Sequence, residues 1–155
     1  MPAGEIHFQY FKRGYYFVVP SSVLLSLWDV KFAIGNLVGY SLGRWIDPDW
    51  DLMGTNNGEG RMVNELPAVG HYLYGKSSMY GSIFRKWHRS FITHFPGIST
   101  SIRLAFVGYE PFFVGDFVGI NFLGGGWHMF WLGLWFGLSQ ADGIHYWLDK
   151  TYGDS

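Results

Sequence analysis

The sequence contains no cysteine and little charge. Without cysteine there is no disulfide framework, thiolate metal site or cysteine nucleophile, so any metal must be held by histidine and carboxylate side chains. Charged residues make up only 15% of the chain, whereas a typical soluble domain has about 25%. The net charge of −1 gives no electrostatic reason to bind nucleic acid, and we set that class of partner aside.

Hydrophobic residues are abundant, at 48% of the chain, and 21% of the residues are aromatic. The length of 155 residues suits one domain, which we assign to residues 1–155. The N-terminus lacks the basic start, followed at once by an apolar run, that marks a cleavable signal peptide. We therefore expect the first apolar segment to remain part of the protein.

Four largely apolar segments predict four helices, near residues 15–28, 32–46, 98–123 and 127–149. The third helix is expected to kink at Pro111. Residues 47–97 are richer in charge than the segments on either side and are predicted to form a polar loop with one or two interfacial helices. Each of the first two uncharged runs is short for a bilayer span of about 20 residues, but aromatic ends such as Tyr15 and Trp45 can extend into the interface. The predicted fold is all-α, a polytopic membrane protein with about four transmembrane helices.

Basic residues predict the orientation of these helices. Of the 11 Lys and Arg residues, only Lys31 lies in a connection on the side opposite the termini and the middle loop. This asymmetry is expected when the charged side is cytoplasmic. We therefore predict a location in the inner cell membrane, with both termini cytoplasmic and membrane lipid as a partner. The alternative is a soluble α-helical domain with an aromatic core.

Gly35, Gly39 and Gly43 recur at every fourth residue and share one helical face. Glycines at this spacing let another helix approach closely. The face therefore predicts a helix contact, and it can also serve self-association in a homo-oligomer or a membrane complex.

Three polar clusters and an early histidine are predicted to meet at one end of the helix bundle. They are the segment Asp47-Pro48-Asp49-Trp50-Asp51, the segment from His88 and Arg89 to His94, the stripe of Asp142, His145 and Asp149, and His7. Ionisable groups at a membrane edge are expensive and usually functional. Structural alternatives exist, because Asp-Pro-Asp is also an ordinary turn and a histidine can simply bond to a neighbouring carboxylate. His71 and His128 lie outside this predicted site.

The order of these motifs resembles a bacterial family of small multi-pass metal-binding membrane proteins, related in pattern to membrane-bound metal-dependent hydrolases. The shared elements are an early His, a glycine-spaced second helix leading into Pro-Asp-x-Asp, a His-Arg-Ser-x-x-x-His element and a final His-x-x-x-Asp. The sequence departs from the pattern at Asp47, where a glycine is common. The resemblance implies these candidate ligands or acid–base groups: His7, Asp49, Asp51, His88, His94, His145 and Asp149, with Asp47 and Asp142 as additional candidates.

These features favour a membrane-embedded hydrolase with one or two divalent metals, for which Zn²⁺, Mn²⁺ and Mg²⁺ are candidates. The predicted ligands are Asp49, Asp51, His88, His94 and His145, and the metal would lower the pKa of a bound water. Asp149 would orient His145 or accept a proton. Arg89 would favour a phosphoester, and the membrane edge would favour a lipid-like substrate. The competing hypothesis is a non-catalytic membrane subunit or scaffold with a structural metal or a polar packing cluster.

Overall fold

The computed structural model describes residues 3–46, 48–51, 64–67, 69–87, 90–107 and 127–152. Within these ranges the chain is helical, with six α-helices and no strand. The prediction of an all-α fold is therefore confirmed. The helices are α1 (Ala3–Ser26), α2 (Val30–Leu42), α3 (Gly70–Phe84), α4 (Phe91–His94), α5 (Ile98–Phe106) and α6 (His128–Tyr152), with 3₁₀ turns at Pro48–Asp51 and Arg85–Trp87.

The first two helices differ from their predicted bounds mainly at the start of α1. The prediction began the helix at the uncharged run, near residue 15, but α1 begins at Ala3 because the polar residues before that run do not interrupt a helix. The predicted polar turn between the two helices is present. There Asp29 caps α2, since its Oδ1 accepts a hydrogen bond from the Phe32 N–H at 2.8 Å.

Of the last two predicted helices, the structure describes the fourth over its whole predicted length and the third only over its first part. The helix predicted at 127–149 corresponds to α6. The helix predicted at 98–123 corresponds over its first part to α5, while its remainder and the predicted kink at Pro111 lie outside the described residues. The predicted middle loop contains α3, a helix of 15 residues, and the one-turn helix α4.

The helices α2 and α6 contact each other through their backbones. A Cβ atom added at Gly35 or Gly39 would overlap a carbonyl oxygen of α6, and one added at Gly133 or Gly137 would overlap a carbonyl oxygen of α2. Along this contact the residue numbers rise in the same direction in both helices, so α2 and α6 are parallel. The glycine face predicted from the sequence is thus a helix contact, but its partner is α6 of the same chain. It is not a free surface for self-association.

The helix α1 packs antiparallel to α2 along the same unit. Near one end, the Tyr40 hydroxyl donates to the Phe11 carbonyl oxygen at 2.7 Å, and the two rings stack with centroids 4.9 Å apart. Near the other end, the Asn36 amide donates to the Ser22 hydroxyl at 2.8 Å. A second apolar core joins α3 and α5 to α6. The C-terminal ends of α2 and α6 therefore lie beside the first half of α1.

The outer surface of α1 and α2 is strongly apolar. We call it the apolar face, and its members are Tyr16, Phe17, Val23, Leu24, Leu27, Trp28, Val30 and Ile34. Leu27 is 86% exposed and Tyr16 is 80% exposed, although a soluble monomer seldom leaves such residues contiguous. Among the helices in the described ranges, none is both long enough and apolar enough to cross a membrane.

Candidate metal centre

Three separate segments deliver acidic and imidazole side chains to one place. Asp49 lies in the 3₁₀ turn that follows α2, held next to the buried Ile46. His94 is the last residue of the one-turn helix α4. His145 and Asp149 lie one turn apart on the same face of α6. The convergence expected from the topology is therefore observed for these four side chains.

The ring nitrogens of the two histidines lie between the two carboxylates. His94 Nε2 is 3.4 Å from Asp49 Oδ1 and 3.6 Å from Asp149 Oδ2. His145 Nε2 is 3.4 Å from Asp49 Oδ2 and 3.4 Å from Asp149 Oδ2. One ligand atom from each of Asp49, His94 and His145 falls within 4.8 Å of the others. These residues form a buried group that can hold a metal ion, with Asp149 beside it.

The separations match metal ligands better than hydrogen bonds. An N–H···O bond usually spans about 2.7–3.2 Å. A tetrahedral metal with bonds of about 2.0–2.2 Å places its ligand atoms about 3.3–3.6 Å apart, and an octahedral ion places adjacent ligands closer together. The four observed distances lie between 3.4 and 3.6 Å. The contacts between imidazole and carboxylate are therefore longer than hydrogen bonds and suit side chains that share an ion, which Asp49, His94 and His145 could hold together.

The side chains differ in their access to solvent. The exposed fractions are 3% for His94, 9% for His145, 15% for Asp149 and 36% for Asp49. The centre consequently opens on the side of Asp49. Burial alone raises the pKa of the Asp49 carboxyl, but hydrogen bonds and positive charge from His145 and His94 together hold that pKa well below its ordinary value. Asp49 is thus ionised at neutral pH.

The tautomer of His94 follows from its contact with Thr93. The buried Thr93 hydroxyl lies 3.0 Å from His94 Nδ1 and donates its single proton to the Trp87 carbonyl oxygen at 2.8 Å. Nδ1 must therefore carry the proton that this hydroxyl oxygen accepts. In the neutral ring Nε2 then presents its lone pair toward the two carboxylates, where a bound cation would accept it, and in the protonated ring Nε2 donates to them instead. Sequence reasoning missed Thr93, because a threonine beside a histidine is not a specific signal.

Asp142, an additional candidate on the α6 stripe, lies in a different contact. It is fully buried, and its Oδ2 accepts a hydrogen bond from Arg103 Nη2 of α5 at 2.5 Å. The hydroxyls of Thr100 and Ser99 donate to the same oxygen. The sequence places Arg103 within a largely apolar segment, but this partner was not predicted from it. On α6, His145 and Asp149 therefore belong to the candidate metal centre, whereas Asp142 belongs to a separate buried group with Arg103.

The remaining predicted residues are placed only in part. His7 lies in α1 and Asp51 in the 3₁₀ turn, with side chains outside what the structure describes. Asp47, His88 and Arg89 lie outside the described residues altogether. His71 is exposed on α3, and His128 is exposed at the first residue of α6, so both stand apart from the centre as expected.

Comparison of the chain with protein-family models, with curated proteins and with solved structures found no match.

Proposed function

We propose that this protein is a membrane-embedded, metal-dependent hydrolase with one zinc ion held by Asp49, His94 and His145, beside Asp149. The observation that carries the proposal is the convergence of these three donors, which come from three separate segments and lie within 4.8 Å of one another. Two imidazole ligands favour zinc over the harder ions Mg²⁺ and Mn²⁺. The resemblance in motif order supports the same class.

The roles of the side chains follow from their burial. A bound zinc would act as a Lewis acid toward the ester and lower the pKa of a water molecule. His94 and His145, which are almost fully buried, fix the position of the ion. Asp49 lies on the open side, where a substrate enters. Asp149 contacts both imidazoles and is placed to accept a proton during hydrolysis.

The substrate class is proposed to be a phosphoester at a membrane surface. His88 and Arg89 are the two residues that precede Ser90 in the sequence. We propose His88 as a further metal ligand and Arg89 as the cation that binds the anionic phosphoester. The apolar face of α1 and α2 supports contact with lipid. In this arrangement Lys31 lies at one end of the bundle, and Arg44 and the metal centre lie at the other, near the cytoplasmic headgroups.

The apolar content of α6 is lowered by residues that do not face lipid. Ser139, Asp142 and His145 belong to its buried polar contacts. Similarly, the first half of α1 carries the charges of Lys12 and Arg13, while the segment after Gly14 has none up to Asp29. We therefore propose that the bundle is embedded as a unit, with these polar positions turned inward or placed at the headgroups.

One observation favours a second function, a non-catalytic subunit with a structural metal. Asp149 lies beside the three donors, and a shift of its side chain onto the ion would complete the four-donor shell of a structural zinc, whereas a catalytic zinc site keeps that position for water. In the hydrolase, Asp149 therefore stays off the ion. The two functions differ in turnover rather than in metal content.

Metal analysis and turnover measurements test the proposal together. Protein purified in detergent is expected to contain about one zinc per chain and to hydrolyse a chromogenic phosphoester. The double variant His94→Ala/His145→Ala should lose both properties. The matched control His71→Ala/His128→Ala removes two exposed histidines that do not belong to the metal-binding group, and it should keep both. Full zinc content in the first variant would refute the site, and zinc without turnover in the natural protein would establish the structural function instead.

A further inference from the structure

The exposed side of α3 combines apolar and basic residues. The buried residues of this helix are Gly70, Leu73, Ser77, Tyr80 and Gly81. Tyr72, Met79 and Ile83 share another face, because they are spaced seven and four residues apart, and each is between 45% and 51% exposed. Trp87, in the 3₁₀ turn that follows the helix, is 43% exposed. Exposed apolar and aromatic side chains with Lys or Arg beside them are typical of helices that lie in a membrane interface.

An open groove of about 580 Å³ lies where α3 passes into this 3₁₀ turn. It is lined by Gly81, Ser82, Ile83, Arg85, Lys86 and Trp87. Arg85 and Lys86 are exposed, and Lys86 Nζ lies 4.4 Å from the centroid of the Trp87 ring. The volume falls within the range of about 300–1,000 Å³ that is common for small-molecule sites. The groove therefore offers two cations and an aromatic ring to a single ligand.

The charge of the surrounding sequence has one sign. Between Glu65 and Glu110 the sequence contains no Asp or Glu. Its Lys and Arg residues in that stretch are Lys76, Arg85, Lys86, Arg89 and Arg103. Arg103 is paired with Asp142 inside the protein, but Arg85 and Lys86 lie at the surface. Because the whole chain has a net charge of −1, this positive charge is a local excess, as expected for a surface that meets anionic headgroups.

One side chain connects the groove to the candidate metal centre. The Trp87 carbonyl oxygen accepts a hydrogen bond from the Thr93 hydroxyl, which lies 3.0 Å from His94 Nδ1. A lipid bound beside Trp87 would therefore hold the metal centre at the level of the headgroups.

We propose that the groove binds the phosphate headgroup of an anionic phospholipid. Arg85 and Lys86 bind the phosphate oxygens, and Ile83 and Trp87 contact the glycerol backbone and the acyl chains. A zwitterionic headgroup brings its own positive charge, so two cations favour a lipid with a net negative headgroup. The apolar side chains beside the cations favour lipid over an acidic peptide. This inference rests on the membrane location in the proposed function and depends on neither its metal nor its turnover.

Lipid selectivity of the reconstituted protein tests the groove. Spin-labelled phosphatidylglycerol and spin-labelled phosphatidylcholine are compared in phosphatidylcholine bilayers, where electron paramagnetic resonance measures the fraction of each lipid that the protein immobilises. The natural protein should prefer phosphatidylglycerol by about fivefold or more, the ratio expected for at least one cation near a headgroup. Arg85→Gln/Lys86→Gln should lose most of this preference. Its zinc content and its helix content by circular dichroism should not change, since both side chains are exposed.

The matched control is Lys12→Gln/Arg13→Gln. It removes the same charge from two exposed residues of α1 on the predicted cytoplasmic side and should keep the preference. An equal loss in the two double variants would overturn the groove, because it would show a general attraction between the protein and anionic lipid. Displacement of the lipid by inorganic phosphate, but not by chloride at equal ionic strength, would overturn lipid as the ligand and assign the groove to free phosphate.

The groove and the hydrolase can fail separately. His94→Ala/His145→Ala should lose zinc and keep the lipid preference. Equal binding of the two lipids by natural protein that retains zinc and turnover would overturn the groove alone. Conversely, a preference that depends on Arg85 and Lys86 in protein without zinc or turnover would support the groove and refute the hydrolase.

Discussion

The Thr93 hydroxyl determines which nitrogen of His94 is turned toward the two carboxylates. Its proton goes to the Trp87 carbonyl oxygen at 2.8 Å, so in the contact with His94 its oxygen accepts from Nδ1. The contact is buried and therefore not exchanged for water. A histidine held in this tautomer already has the protonation and ring orientation of the metal-bound state, so binding carries no free-energy cost for changing them.

Thr93→Val keeps the shape of this residue and removes the acceptor for Nδ1. We expect zinc affinity to fall by about 10–100-fold, the range for such supporting contacts, as measured by competition with a chromogenic chelator. Thr151→Val is the control, because the Thr151 hydroxyl bonds only to the exposed turn of α6 at the Trp147 carbonyl oxygen. Unchanged affinity in Thr93→Val would mean that the His94 tautomer is set in another way.

The pH dependence of zinc binding should not come from Asp49. The pKa of the Asp49 carboxyl is held below its ordinary value by the two imidazoles, so this group stays ionised as the pH falls. Because metal ligands must be deprotonated, zinc should dissociate as the pH falls through proton uptake by ligands other than Asp49. In Asp49→Asn the affinity should be lower at every pH, but the loss should span the same pH range as in the natural protein. If zinc affinity no longer fell with pH in Asp49→Asn, the proton that competes with zinc would belong to Asp49.

At the scale of helices, the contact between α2 and α6 positions most of the centre. Asp49 follows α2, and His145 and Asp149 belong to α6. The glycines at 35, 39, 133 and 137 bring the two backbones together with no side chain between them. Any displacement of one helix therefore changes the distance between Asp49 and the α6 ligands.

Gly137→Ala should lower both stability and zinc affinity, because the new Cβ would overlap the Asn36 carbonyl oxygen. The expected loss is about 1–3 kcal/mol, as for other overpacked interiors, measured by thermal unfolding followed by circular dichroism. Gly75→Ala is the matched control. No atom lies within 4 Å of a Cβ at that position in α3, and removing a helical glycine should stabilise the protein by about 0.5–1 kcal/mol. Equal effects of the two substitutions would contradict the close helix contact.

The sequence predicted the helices of this contact because their apolar runs are long and lack charge. It placed the start of α1 too late, since polar residues such as Lys12 and Arg13 mark a surface and not the end of a helix. It also predicted that Asp49, His94, His145 and Asp149 would meet, because each falls at the same end of its helix or loop. It did not predict the role of Thr93 or the pairing of Arg103 with Asp142. Those contacts depend on the angles between short helices, which no local pattern specifies.

For the whole molecule, we expect lipid to cover the apolar face of α1 and α2. Cysteine labelling tests this, because the chain has no cysteine of its own and each introduced cysteine is the single reactive thiol. In intact membranes, Leu24→Cys should resist a water-soluble maleimide, although Leu24 is 68% exposed on the protein surface. Lys31→Cys, at the adjacent end of the hairpin, should react. Lys150→Cys should react only after the membrane is opened, as predicted for a cytoplasmic C-terminus.

Rapid labelling of Leu24→Cys without detergent would contradict embedding in lipid. Reaction of both Lys31→Cys and Lys150→Cys from the same side would contradict their placement on opposite sides of the membrane, whereas reaction of Lys150→Cys in place of Lys31→Cys would reverse the orientation alone. Neither result would affect the zinc measurements, so the membrane and metal proposals can fail separately.

The backbone contact between α2 and α6 has a consequence for how the ion is gained and lost. Because the glycines seat these helices directly on each other, the positions of Asp49, His145 and Asp149 do not depend on the ion to draw them together. After the ion is removed by a chelator, these side chains should therefore keep their relative positions. Added zinc should then bind at a rate set by diffusion, with no refolding step.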